Sequence, residues 1–502
     1  MKRQAPLSHL VAPPSIGGRS QATTPGCRDR QDPSRKGGMT GMTGMTNMTN
    51  RSRSVAPVMT SLMAPLMAIL LAFAGAGSAK AQFFGGQAVG GISIDASGIV
   101  RNVEPGALDE LSATRRKALA GGGPKASTDG LRKVSLARLT KAVEAAASGK
   151  APLPADAVLM GGLERITHVF VDPDGHDIIL AGPADAARVD AKGNVLGASS
   201  GLPLLQLEDF IVALRAVDGA REGGMLCSID PVPERVADLQ KFLKSQQASA
   251  ADPEGTLRKM EEVLGPQNVR IGGVPTDSRF ARVLVAADYR LKRIGMGLEP
   301  SGLNDLPSYL ATVPAGATVG ALPRFWLEAS YDPIARDADE LAFRLSGRKI
   351  ACLTENDVFA KDGVKRGAGP TDKVAQKWCD AFSAKYDTLA TKHPVFAELA
   401  NCVDLAVVAA LIQGQQLDRK AGLDLSPLLD ADRVRLPTYQ SPSTVPTVAS
   451  GVKKGGRWVV SASGGIQFQP WGFATSTVES DDVATTRTAA LAARSDAGWW
   501  WD

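Results

Sequence analysis

An α+β fold follows from three features of this 502-residue chain. Several segments repeat apolar residues at the helical period, and shorter runs rich in Val, Ile and Phe sit between turn-forming residues. Near residue 315 the order of these segments changes, from helices and strands in alternation to strands followed by a helical pair. The expected organisation is a mixed helix/strand first domain over 131–315 and a second domain over 316–473, with antiparallel strands plus a helical hairpin.

Residues 1–58 hold proline and glycine clusters and the repeat MTGMTGMTNMTN, with no apolar period that could bury a core. They read as a disordered or untranslated leader. In SLMAPLMAILLAFAGAGSAKAQ, residues 61–82, an apolar run too short to span a bilayer comfortably gives way to small residues ending Ala79-Lys80-Ala81. That pattern predicts a signal peptide over 59–81, cleaved between Ala81 and Gln82, with Arg51 and Arg53 as its basic flank if translation starts at Met48. The expected localisation is extracytoplasmic: secreted, periplasmic or cell envelope. Membrane attachment is expected only if the signal segment is retained. Residues 1–81 carry 10 of the 57 basic residues and 2 of the 52 acidic ones, which leaves 47 against 50, a net of −3. The basic character therefore belongs to the leader and gives no ground for a nucleic-acid partner.

The Gly-rich N-terminal segment, 82–130, contains GGISIDASGIV, an alternating piece that predicts a strand pair or an edge strand. Ser135 is placed to cap a helix whose Leu136, Leu139 and Val143 share one face. The β-rich runs 163–171 and 176–181 flank Asp172-Pro173-Asp174-Gly175 and predict an antiparallel hairpin. Both of its faces are apolar, so helices should cover it on two sides. Helix 207–217, strand 225–229, helices opening at Pro233 and Pro253, strand 268–274 and helix 278–294 continue the alternation. Beyond the Pro- and Gly-rich stretch, 324–331, 340–346 and 349–354 read as three antiparallel strands, with Gly347-Arg348 as a two-residue turn. Helices over 372–390 and 395–415 follow, then a hairpin over 458–468 and a disordered tail over 474–502 that ends in a loose Trp499-Trp500-Trp501. The apolar run 403–412 is about half a membrane span and contains Asp404, which favours a buried helix.

Four of the five cysteines, Cys227, Cys352, Cys379 and Cys402, follow the leader and permit two disulfides with three connectivities. The chain has no CxxC, HExxH or P-loop, and no dinucleotide GxGxxG after a strand, so no metal ligand set and no cofactor is expected. Gly197-Ala198-Ser199-Ser200-Gly201 matches GxSxG without the strand and helix of a nucleophile elbow, and Ser346 and Lys349 match S-x-x-K across a strand turn. Both read as chance. The acidic turn at 172–177 lacks the downstream Glu of a calcium loop. Glu398, Asn401 and Asp404 recur every three residues and predict one exposed polar edge.

The clearest constellation lies on helix 278–294. Arg279, Arg282, Arg290 and Arg293 project within about 80° of one another, beside an apolar stripe. They are the candidate anion-binding residues, for an anionic polymer or an acidic protein partner. The alternative is that they pair with carboxylates of the same chain. No catalytic residue is assigned.

GGISIDASGIVRNV, GLERITHVFVDPDGHDIILAGPA, LPLLQLEDFIVALRA, CSIDP and TDSRFARVLVAADYRLKRIGMGLEP together resemble the secreted planctomycete proteins grouped as domain of unknown function 1598. The similarity runs over about 90–473 and is most specific over 276–300. It implies family membership and export, and carries no activity with it. The expected function is a non-enzymatic cell-envelope or extracellular binding component. The alternative is a secreted hydrolase working with carboxylates from separate loops, among them Asp172, Asp230, Asp277 and Asp404.

Overall fold

The β-rich runs assemble into two seven-stranded sheets, and the fold is α+β. A computed structural model describes residues 88–127, 130–245, 251–314, 321–360, 363–365, 372–454, 457–460, 463–495 and 498–502. All belong to one compact unit, Phe73–Asp502. The leader, the signal segment and the Ala81-Gln82 cleavage position lie outside the described residues.

In the first sheet, Lys349–Ala360 pairs antiparallel with Ala321–Ser330, which runs parallel to Ser463–Phe468. Ser463–Phe468 pairs in turn with Met225–Asp230, and that strand with Gln267–Gly272. Strands from both sides of residue 315 therefore share one sheet, and the boundary expected there falls between two of its members. Prolines and glycines mark chain turns as readily as linkers. Gly464 has φ +144°, and a Cβ on it would fall on the carbonyl oxygen of Phe325, so the central strand pair closes only around a glycine.

The second sheet centres on the expected hairpin, His168–Asp172 against Asp177–Gly182, with Asp172 opposite Asp177. One face, Val169, Val171, Ile178 and Leu180, joins the main core. The other face, Phe170, Ile179 and Ala181, packs on Val483, Ala490 and Trp501. The second cover is thus the segment expected to be a loose tail. Asp481–Ala492 is a helix, and Trp500–Trp501 pairs with Arg132–Ser135. The Trp501 indole donates to the carbonyl of Ala490 at 3.1 Å, and Arg132 bonds Asp502 at 2.8 Å beneath the Trp500 ring. The apolar outer face of the hairpin supplies the burial that orders this segment.

Two further expectations are corrected. The run 340–346 contributes Ala342–Arg344 to the second sheet, paired with His168–Asp172, whereas Lys349–Ala360 belongs to the first. Gly347 and Arg348 are therefore a crossing between sheets, with φ +105° at Gly347 and +72° at Lys349. Arg457–Val460 pairs with Gly451–Lys454, leaving Ser463–Phe468 to enter the first sheet.

The helix Pro394–Gly414 runs through the middle of the unit. It opens with proline at its first turn, where the missing N–H costs nothing, and is apolar on nearly every side. It is long and apolar enough to cross a membrane, and 94% of its most apolar window is buried inside the fold. Leu207–Ala216, Arg279–Gly295 and Pro470–Thr475 pack against it.

Candidate functional site

The four arginines of the helix Arg279–Gly295 face groups of the same chain. Ser278 caps this helix by accepting from the N–H of Ala281. Arg279 is 8% exposed. Its guanidinium donates to Asp209 and, at 2.9 Å, to Glu398, with Glu208 at 3.9 Å. Tyr439 donates to Glu208, lying 3.0 and 3.1 Å from its two oxygens. Arg282 donates to the carbonyl of Gln440 at 3.1 Å, and burial lowers its pKa to about 10. Arg290 and Arg293 both reach Glu299. The pairing alternative describes this helix, and the stripe offers no continuous exposed cationic face. Burial pushes Glu208 up to about 7, with adjacent Asp209 adding to the rise and Arg279 opposing it. It pushes Asp209 up to about 6 against the pull of Arg279.

Glu398, Asn401 and Asp404 are likewise buried, not an exposed edge. Each is buried because a partner waits on a neighbouring element. Glu398 meets Arg279, the Asn401 side-chain amide donates to the carbonyl of Pro203 at 3.1 Å, and Asp404 meets Lys349. A polar seam inside a core has the same three-residue spacing as a solvated edge.

Lys349, at the sheet crossing, places its ammonium 2.6 and 2.5 Å from the two oxygens of Asp404. The hydroxyl of Tyr331 donates to the same carboxylate. Burial lowers the pKa of Lys349, and Asp404 opposes that shift. A lysine with positive φ is strained, and a buried ion pair on both carboxylate oxygens holds it there.

Above this pair opens a cleft of about 220 Å³, between the sheet crossing, the loop at Glu164 and Arg165, and the helices Tyr386–Lys392 and Pro394–Gly414. Arg348 and Asp387 stand exposed at its rim. Glu164 accepts from the Ser200 hydroxyl, and burial raises its pKa against the pull of that hydrogen bond and of Arg165. Arg165 is half-buried in the wall, and among the described residues no carboxylate stands within ion-pairing distance of it. Sequence reasoning singled out neither Arg165 nor Glu164. Their one signal was two adjacent charges inside an apolar run, GLERITHVFV.

The remaining candidates are held elsewhere. Asp172 pairs with Arg494, Asp230 lies 3.7 Å from Arg324, and Asp277 is exposed before its helix, so only Asp404 of the four carboxylates lines the cleft. Ser199 is bound to Asp185 in a loop after the strand Val195–Gly197. Ser346 contacts Asp332 at 3.3 Å. His168 lies opposite Ala181 in the hairpin, and burial lowers its pKa to about 4.

Residues 227–309 match the model of a family described as Protein of unknown function (DUF1598), and the chain resembles that family. The match includes the whole helix Arg279–Gly295 with its buried Arg279 and Arg282, and the cleft residues lie outside it. No curated protein and no solved structure matches the chain.

Proposed function

We propose that this chain is an exported, non-enzymatic binding component that holds a carboxylate-bearing ligand in the cleft at Arg165. The observation that carries the reading is the half-buried Arg165 guanidinium in a concave wall, without a carboxylate partner among the described residues. A guanidinium presents paired donors that match the two oxygens of a carboxylate. Deeper in the cleft Lys349 is spent on Asp404 and Glu164 accepts from Ser200, while Arg348 and Asp387 stand at the exposed rim. The cleft volume suits a single small group, such as one acidic sugar, free or at the end of a polymer. Export rests on the apolar segment 61–82 and its small-residue end.

Titration calorimetry with galacturonate and with a short oligogalacturonate, glucose being the neutral control, tests the ligand reading. Binding of the acidic sugars should weaken about tenfold in Arg165→Gln, the cost of roughly one charge-assisted hydrogen bond. Equal affinity in both proteins, or equal binding of glucose, overturns it. A stronger response to the oligomer than to the monomer assigns the cleft to a polymer end. Mass analysis of the N-terminus tests export separately: a chain starting at Gln82 supports it, and an intact leader in soluble cell extract removes it.

A further inference from the structure

Two of the buried cysteines sit against each other across the boundary between the first sheet and a helix. Cys352 belongs to the strand Lys349–Ala360 and Cys379 to the helix Lys373–Ala384. Their sulfurs are 3.4 Å apart, and both residues are buried as free thiols. A second contact fixes the same approach. Ser383, one helical turn beyond Cys379, accepts from the backbone N–H of Cys352 at 2.7 Å and lies 3.2 Å from the carbonyl of Cys352, to which it donates. Strand and helix are thus clamped at the point where the thiols meet, with Trp378 and Phe382 packed beside them.

We propose that Cys352 and Cys379 are a disulfide site, linking the first sheet to the helix Lys373–Ala384 when the chain meets an oxidant. A sulfur–sulfur bond is about 2 Å long, so the two atoms have only about 1.4 Å to close. Cys227 and Cys402 lie on other elements, the strand Met225–Asp230 and the helix Pro394–Gly414, and stay as thiols. The oxidant is a small or protein-borne disulfide. One cysteine thiolate attacks it, forming a mixed disulfide and releasing a thiol. The second cysteine displaces the remaining half, which leaves as a second thiol. Two cysteine thiols are oxidised, one disulfide is reduced, and the two protons end on the released thiols. Burial pushes the Cys352 thiol well up and blocks access, so the bond forms as the chain folds. The inference is independent of the ligand reading, and export enters only as a natural source of oxidant.

The test is a peptide map of the full chain, refolded from denaturant in a glutathione and glutathione disulfide buffer and alkylated under denaturing conditions. A parallel map of chain produced in an oxidising expression compartment needs no refolding step. The expected product is a peptide pair joining Cys352 to Cys379, two hydrogens lighter than the reduced pair, with Cys227 and Cys402 alkylated. Oxidised protein should melt a few degrees above reduced protein, and Cys379→Ser should abolish that difference. Alkylation of both Cys352 and Cys379 in folded, oxidant-treated protein overturns the proposal, as does a dominant link to any other cysteine.

Discussion

Replacing Arg279 with methionine keeps much of the side-chain volume and removes the cation from a pocket holding Asp209, Glu398 and Glu208. All four residues are buried, so water cannot substitute for the lost partner. Breaking one side of such a cluster costs about 3–5 kcal/mol where the remaining carboxylates stay charged. The cost should depend on pH in a fixed direction. Glu208 has a folded pKa of about 7 against an ordinary 4.5, so the folded state holds more protons than the unfolded one in that window. Stability tied to a raised pKa is complete below the unfolded value and is lost as pH rises through the folded one. For Glu208 in the native protein that stability is complete below about pH 4.5 and is lost as pH rises through about 7. In Arg279→Met the carboxylates bind protons more tightly still, and the deficit should be largest near pH 8 and shrink toward pH 5. Urea unfolding followed by tryptophan fluorescence at a series of pH values measures this directly. A deficit below about 1 kcal/mol at pH 8, or one that grows on acidification, would refute the reasoning.

Asp404→Asn leaves the Lys349 ammonium buried beside Tyr331 and should cost about 3–5 kcal/mol in urea, while Lys349→Met with Asp404→Leu together should recover most of it. Trp501→Ala removes the lid over Phe170 and Ile179 and should cost about 3–5 kcal/mol, read as a shifted urea midpoint. Gly464→Ala forces a methyl group onto the Phe325 carbonyl, and circular dichroism should show a lowered melting temperature even though the added volume is small.

Much of this fold was legible in the sequence because its cues are local. The cap at Ser135, the proline starts at Pro233 and Pro253 and the Asp-Pro-Asp-Gly turn all act within a few residues, and all appear in the structure. Sheet membership was not legible, because Ala342–Arg344 and Lys349–Ala360 look like hairpin neighbours until the crossing at Gly347 sends them to different sheets. The arginine stripe was visible as a stripe, but Glu208 and Asp209 read as ordinary acids of a first helical turn and gave no hint that they receive Arg279. The cleft was the least legible part. Arg165, Lys349 and Asp404 come from three distant stretches, and no spacing rule connects them.

The pairing of Trp500 with Val134 sets an order of events. Arg132–Ser135 leaves the ribosome long before its outer neighbour, Trp500–Trp501, is made. Until Trp500 and Trp501 are made, the second sheet stands open on that side and can recruit a foreign strand. Completion of this sheet is therefore a late step. A chain cut short before Trp500 would be prone to self-association, despite retaining the whole family-matched stretch.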